Sequence, residues 1–238
     1  MLIDKLYGKH RGADIYIVGT GPTARLIPKD LLGGRVSIGL NQAYKNFKVT
    51  YSITVHPELE VEYREVLKSN PDVETQWIVK QKAPTNLPFD DATRYVFKTC
   101  PEWSGFLGKD KNTLFIGRGV QQTAIDMACR MGARAIFLIG VDMSDVGGDH
   151  HSHHQHVRFH GLNPVDVYAE YREWTYVARK LAREKAKIPV LSLSPLLGCG
   201  GTVHDSDYVK LRSELGLDKL PEPKDTSGYT RSKTDKPL

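Results

Sequence analysis

The residue types able to do chemistry fall at a few places in the sequence. The first is Gly19-Thr20-Gly21-Pro22-Thr23, directly after the β-forming run Ile15 to Val18. A strand, a tight glycine turn and a helix start together make an anion site. Backbone N–H groups point outward there, the helix dipole favours negative charge, and the missing Cβ lets a phosphate reach the backbone. Pro22 suits the first helical turn, where its missing N–H is not needed. No third glycine follows at the dinucleotide spacing, so the stretch reads equally as a phosphate loop or as a tight β-to-α turn.

Four further groups belong with it. Asn41-Gln42 offers neutral donors and acceptors for a ribose, a base edge or a sugar hydroxyl, and Asn41 serves as readily to cap a turn. Gly117-Arg118-Gly119 sets a guanidinium at a helix start, where it can fork onto phosphate oxygens or form a surface ion pair. Asp142 follows an apolar run and suits a ribose hydroxyl, a metal or a turn cap. Last, six of the nine histidines lie between positions 150 and 160. His151, His153, His154 and His156 are candidate metal ligands, although their order matches no zinc signature. A solvated loop, or a loop carrying one general base, accounts for them as well.

These groups need a scaffold, and the pattern supplies one. Strands are expected at Asp14 to Val18, Arg35 to Leu40, Val49 to Val55, Val73 to Val79, Ala135 to Gly140 and Pro189 to Leu193, with a short one at Leu114 to Ile116. Helices are expected at Thr23 to Leu32, Glu58 to Ser69, Gly119 to Met131 and Pro164 to Lys185, from their apolar spacing and terminal glycines. The run Ala135 to Gly140 is continuously apolar, as in a parallel strand buried on both faces. Strands alternating with helices predict an α/β, Rossmann-like, mostly parallel sheet with helices on both faces. Every group named above except the histidines then falls at the carboxyl end of a strand or the start of a helix, at the edge where open parallel sheets bind ligands. Residues 80–112, broken by prolines and rich in aromatics, read as a small inserted lid, with a strand at Arg94 to Lys98. The domain spans 1–204, and 205–238 is a polar tail.

Composition narrows the classes. The 238 residues are 40% hydrophobic and 26% charged, as in a globular domain. No apolar run approaches a membrane-spanning length, and the N-terminus shows no secretory h-region. Three scattered cysteines suggest a reducing compartment, so the expected location is cytoplasmic. A net charge of +5, part of it in the tail, suits a phosphorylated ligand but is explained more simply by solubility and a solvated tail, and the absence of a basic helix interleaved with aromatics argues against nucleic acid. Self-association stays open.

In order, Ile-Val-Gly-Thr-Gly-Pro-Thr, Asn41-Gln42-Ala43-Tyr44, Gly117-Arg118-Gly119, Leu138-Ile139-Gly140-Val141-Asp142, a histidine before a long helix, and Leu193-Ser194-Pro195 resemble the family 42 bacterial sialyltransferases. They also resemble the wider DUF115 group, which includes flagellin-modifying transferases and 6-hydroxymethylpterin pyrophosphokinases. The resemblance covers residues 13 to 197. It implies a CMP contact through Gly19, Thr20, Gly21, Pro22, Thr23 and Asn41, with Gln42 beside them. The family's Thr-Ser-Gly falls on Gly117, Arg118 and Gly119, and its Asn-Pro becomes His56-Pro57. Its catalytic histidine falls nearest to His160. The implied function is a transferase with a nucleotide-activated donor and an unidentified acceptor, its histidine base activating the acceptor hydroxyl. A glycosyltransferase of this kind requires no cofactor. The alternatives are an ATP-dependent pyrophosphokinase, with Mg²⁺ and Asp142 as a possible ligand, and a non-catalytic nucleotide- or metal-binding protein.

Overall fold

The computed structural model describes residues 1–28, 30–56, 59, 62, 65, 75–81, 94–143 and 164–193. Eight strands form one sheet: β1 (Asp14–Val18), β2 (Val36–Leu40), β3 (Tyr51–Thr54), β4 (Gln76–Lys80), β5 (Arg94–Cys100), β6 (Thr113–Phe115), β7 (Ala135–Ile139) and β8 (Val190–Ser192). Their order is β6-β5-β4-β3-β2-β1-β7-β8, and every pairing is parallel. The chain starts at β1, runs outward to β6, then returns to β7 on the other side of β1. The α/β Rossmann-like sheet expected from the sequence is therefore present. Its topological switch lies between β1 and β7, where ligands bind in open sheets of this kind.

Both faces of the sheet are buried, which explains the continuous apolar strands. Ile15, Ile17, Ile38, Ile53, Ile78, Ile136 and Leu138 belong to one core, with Ile125 and Ala128 of helix α1 (Val120–Arg130), its C-cap Met131, and Ala178 of helix α2 (Pro164–Leu181). The alternate residues Tyr16, Val18, Trp77, Val79, Phe137 and Ile139 face a second core with Ala24, Leu31, Leu32, Tyr44 and Phe47.

Several expectations need correction. The helix expected at Thr23 to Leu32 is a single 3₁₀ turn, Pro22–Leu26. Ile27, before Pro28, is extended at φ −92°, ψ 128°, because the proline ring excludes the helical region from its predecessor and cannot donate a backbone bond. Asn41–Lys45 forms a second 3₁₀ turn that the sequence did not signal. The long helix stops at Leu181 and leaves through a π turn, Ala182–Ala186, closed by Lys187 at φ 61°. By contrast, the strand expected at Arg94 to Lys98 is present as β5, two residues longer, and its pairing with β4 extends the sheet. The expected helix at Glu58 to Ser69 lies largely outside the described residues, as do the histidine-rich stretch and the tail.

Candidate functional site at the carboxyl edge of the sheet

Register sets the site. Val18 pairs with Gly39 on one side and Ile139 on the other, so the chain leaves β1, β2 and β7 at nearly one level. Gly19 and Gly140 emerge side by side at the switch point, with Asn41 one strand away. Leu40 pairs with Ile53, which brings Asn41 level with Thr54.

The glycine loop is locked to the loop after β7. Gly19 N–H donates to Ile139 O at 2.7 Å and Gly21 N–H to Gly140 O at 2.8 Å. Thr23 N–H donates to Asp142 Oδ2 at 2.7 Å, the Thr23 hydroxyl donates to Asp142 Oδ1, and Ala24 N–H donates to Gly21 O. Of the two readings of this stretch, these bonds fit the tight β-to-α turn, since these N–H groups are not aimed outward at an anion and the following helix is a single turn. The glycines are required by a different neighbour. A Cβ on Gly19 would lie 2.3 Å from Gly140 O, and one on Gly21 would lie 2.6 Å from both Gly140 O and Asp142 Oδ2. Gly140 itself sits at φ +60° against Ala24. Asp142 is buried, 1% exposed, with both carboxylate oxygens on Thr23. Its place is that of a clasp between two loops rather than of an open ligand.

Asn41 has a left-handed backbone, φ 51°, which asparagine tolerates better than most residues. Two hydroxyls of β3 hold it. Thr54 donates to Asn41 Oδ1 at 3.0 Å, and Ser52 donates to Asn41 O at 3.3 Å. Its Nδ2 has no partner among the described residues. Gln42 donates its Nε2 to Glu62 at 2.7 Å, and Lys45 pairs with the same carboxylate. Thr54 also receives the His56 N–H at 3.0 Å, so the turn out of β3 is fixed to the Asn41 turn.

The third group lies after β6. Gly117 rests on Trp174 of α2, whose Cε3 would be 2.5 Å from a Cβ there. Trp174 stacks on Trp103 at 4.3 Å between centroids. Gly119 N–H donates to Gln122 Oε1 at 2.8 Å, a helix-start cap supplied by the third helical residue. Arg118 pairs with Glu170 at 3.0 Å, both at least half exposed. The neighbouring Tyr171 hydroxyl has its pKa raised, first by burial and then by Glu170, with Arg118 opposing.

Sequence reasoning missed the polar cluster beneath these loops. Gln122 Nε2 donates to Thr175 Oγ1 at 3.1 Å, Thr175 donates to Tyr171 O at 2.7 Å, and Arg172 Nη1 donates to Met143 O at 3.0 Å. Gln122, Thr175 and Arg172 are at most 2% exposed. Met143 has φ 49°, so the chain after Asp142 turns sharply. The cluster ties the Gly119 turn and the Met143 turn to α2. The polar triplet Gln121-Gln122-Thr123 at a helix start was its only sequence signal.

The structure brings Gly19, Thr20, Gly21, Pro22, Thr23, Asn41, Gln42 and Asp142 to neighbouring strand ends around the switch point. Gly117, Arg118 and Gly119 share that end of the sheet and are joined to it through α2. His160 and the candidate metal ligands His151, His153, His154 and His156 lie outside the described residues.

No family model matches the sequence, and no curated protein does. Solved structures do resemble the fold. The MAf glycosyltransferase from Magnetospirillum magneticum AMB-1 superposes with a TM-score of 0.51 at 12% identity, over 97% of this chain and 43% of that one. The chain thus spans less than half the length of that relative. The sialyltransferase CstII from Campylobacter jejuni, in complex with CMP-3FNeuAc, gives a TM-score of 0.46 at 13% identity, over 77% and 82% of the two chains. The same enzyme with a trisaccharide acceptor and CMP gives 0.46 at 14% identity, over 76% and 81%. At these identities the likeness is one of fold: an α/β protein with an all-parallel, Rossmann-like sheet, similar to that of the MAf glycosyltransferase.

Proposed function

We propose that the chain is a transferase that binds a nucleotide-activated donor at the carboxyl edge of its sheet, and that the donor is a nucleotide sugar. The observation that carries this reading is Asn41. Its backbone is left-handed, β3 hydroxyls hold its carbonyl and its amide oxygen, and its amide nitrogen is without a protein partner among the described residues. A rigid neutral donor one strand from the switch point suits a ribose hydroxyl or a base edge. Thr20 and the Gly117-Arg118-Gly119 turn supply the phosphate side. The exposed Arg118–Glu170 pair holds less than about 1 kcal/mol. Arg118 can exchange Glu170 for a phosphate and take it with two parallel hydrogen bonds. The fold shared with a glycosyltransferase supports transfer over simple binding.

His160, four residues before α2 in the sequence, takes the proton of the acceptor hydroxyl. That oxygen then attacks the anomeric carbon while the bond to the nucleotide phosphate breaks. The pyrophosphokinase alternative would need Asp142 for Mg²⁺, and that carboxylate is buried with both oxygens on Thr23. The test is His160→Ala with a CMP-activated sugar. Turnover, read as nucleotide release in the presence of acceptor extracts, falls by about 10²- to 10⁴-fold while donor binding is retained. A variant as active as the parent contradicts the role of His160.

A further inference from the structure

We propose that the opposite, amino edge of the sheet is a docking surface for an anionic lipid bilayer; this does not depend on the transferase reading. Because all eight strands are parallel, the turns leading into them share the end of the sheet away from Asn41. Five neighbouring strands, β3-β2-β1-β7-β8, are each led in by a base. Lys48 precedes β3, Arg35 precedes β2, Lys9 and Arg11 precede β1, Arg134 precedes β7, and Lys185 and Lys187 precede β8. All of these side chains are exposed.

Backbone bonds fix the middle of the row. Gly8 N–H reaches Arg130 O at 2.9 Å, Gly12 N–H reaches Gly132 O at 2.8 Å, and Arg134 N–H reaches Ala13 O at 2.8 Å. At ordinary strand spacing the row spans about 20 Å. Lys9 lies over the Tyr51 ring at 5.8 Å and Arg35 over the Tyr16 ring at 5.9 Å, so two of the bases rest on aromatic rings of β3 and β1. The acids along the row are Asp14, paired with Arg134 at 2.6 Å, with Asp30 and Glu184. Asp72, Glu74, Asp90 and Asp91, which precede β4 and β5 in the sequence, lie outside the described residues, and the basic row is counted over β3, β2, β1, β7 and β8 alone.

The shape favours a bilayer over nucleic acid. The row is built from turns at the end of a sheet, and among the described residues no α-helix or two-stranded ribbon forms part of it to enter a groove. The described residues keep every Phe, Tyr and Trp at least partly buried, and their exposed imidazole, His56, lies at the other edge of the sheet, after β3. Their only exposed large hydrophobics are Met1 and Leu2. Met1 donates its ammonium to Arg94 O at 2.7 Å, at the start of β5, so this apolar pair sits at the same end of the sheet. Bases with a small apolar foot make the two-part signal that holds proteins reversibly on anionic membranes.

Sedimentation with vesicles tests the idea. The whole chain sediments with mixed phosphatidylcholine–phosphatidylserine vesicles at low salt, stays in solution with phosphatidylcholine alone, and is released at high salt. The triple variant Arg11→Glu/Lys48→Glu/Lys187→Glu keeps a cooperative melt and loses about tenfold or more of the vesicle affinity. Arg118→Gln, at the other edge, binds vesicles as the parent does. Failure of the parent chain to sediment with the anionic vesicles at low salt overturns the proposal, whatever the variants do. So does full binding by a folded triple variant. Binding of a DNA duplex at the same salt, with the vesicles left unbound, also overturns it and assigns the row to nucleic acid.

Discussion

Gly21 shows how far one residue can be read before its neighbours are known. Its type and place marked it as special, with a phosphate and a tight β-to-α turn as equal reasons. The atoms that exclude its Cβ belong to Gly140 and Asp142, about 120 positions along the chain, and no local pattern reports them. Asp142 was legible as an unusual carboxylate after a buried strand, and its partner, Thr23, was not. Gly21→Ala must displace a backbone carbonyl and a buried carboxylate. It is expected to destabilise the fold by about 1–3 kcal/mol in urea unfolding, with Asp142→Ala costing about as much by removing the buried acceptor of the Thr23 N–H and hydroxyl. If both variants unfold with the parent, the clasp described between the β1 and β7 loops is wrong.

Elements were legible where their pattern was long and failed where it was short. Helix α1 and strand β7 were expected within a residue or two of their observed bounds, because α1 is closed by glycines at both ends and β7 is a continuous apolar run that stops at Gly140. The 3₁₀ turns after β1 and β2 left no such signal, since one turn buries too little to set a period. The cluster of Gln122, Thr175 and Arg172 was hidden because each residue alone reads as a polar position on a helix. Its effect belongs to α1 and α2 together. Thr175→Val keeps the shape and removes the hydroxyl that accepts from Gln122, leaving a buried amide without that partner. The expected cost is about 1–3 kcal/mol of stability. A melting transition unchanged from the parent would mean that the cluster does not join the two helices as described.

For the whole molecule, the alternation of strands and helices gave the class, but not the strand order. Order depends on which strands lie side by side, and the return of the chain from β6 to β7 beside β1 has no local signature. That return creates the switch point, and the all-parallel sheet then sorts the chain's chemistry by end. Neutral amides, hydroxyls and tight turns gather where strands finish, and bases gather where five neighbouring strands begin. The candidate site is thus a product of topology, with Asn41 its best-placed donor. The most direct measurement is calorimetric titration of nucleotides into the whole chain and into Asn41→Gly, a substitution that keeps the left-handed backbone and deletes the amide. CMP binding to the parent, weakened about tenfold in Asn41→Gly with the fold retained, with ATP and Mg²⁺ bound far less well, is the predicted result. Absence of binding by CMP and every other nucleoside monophosphate, or CMP affinity unchanged in Asn41→Gly, would contradict it.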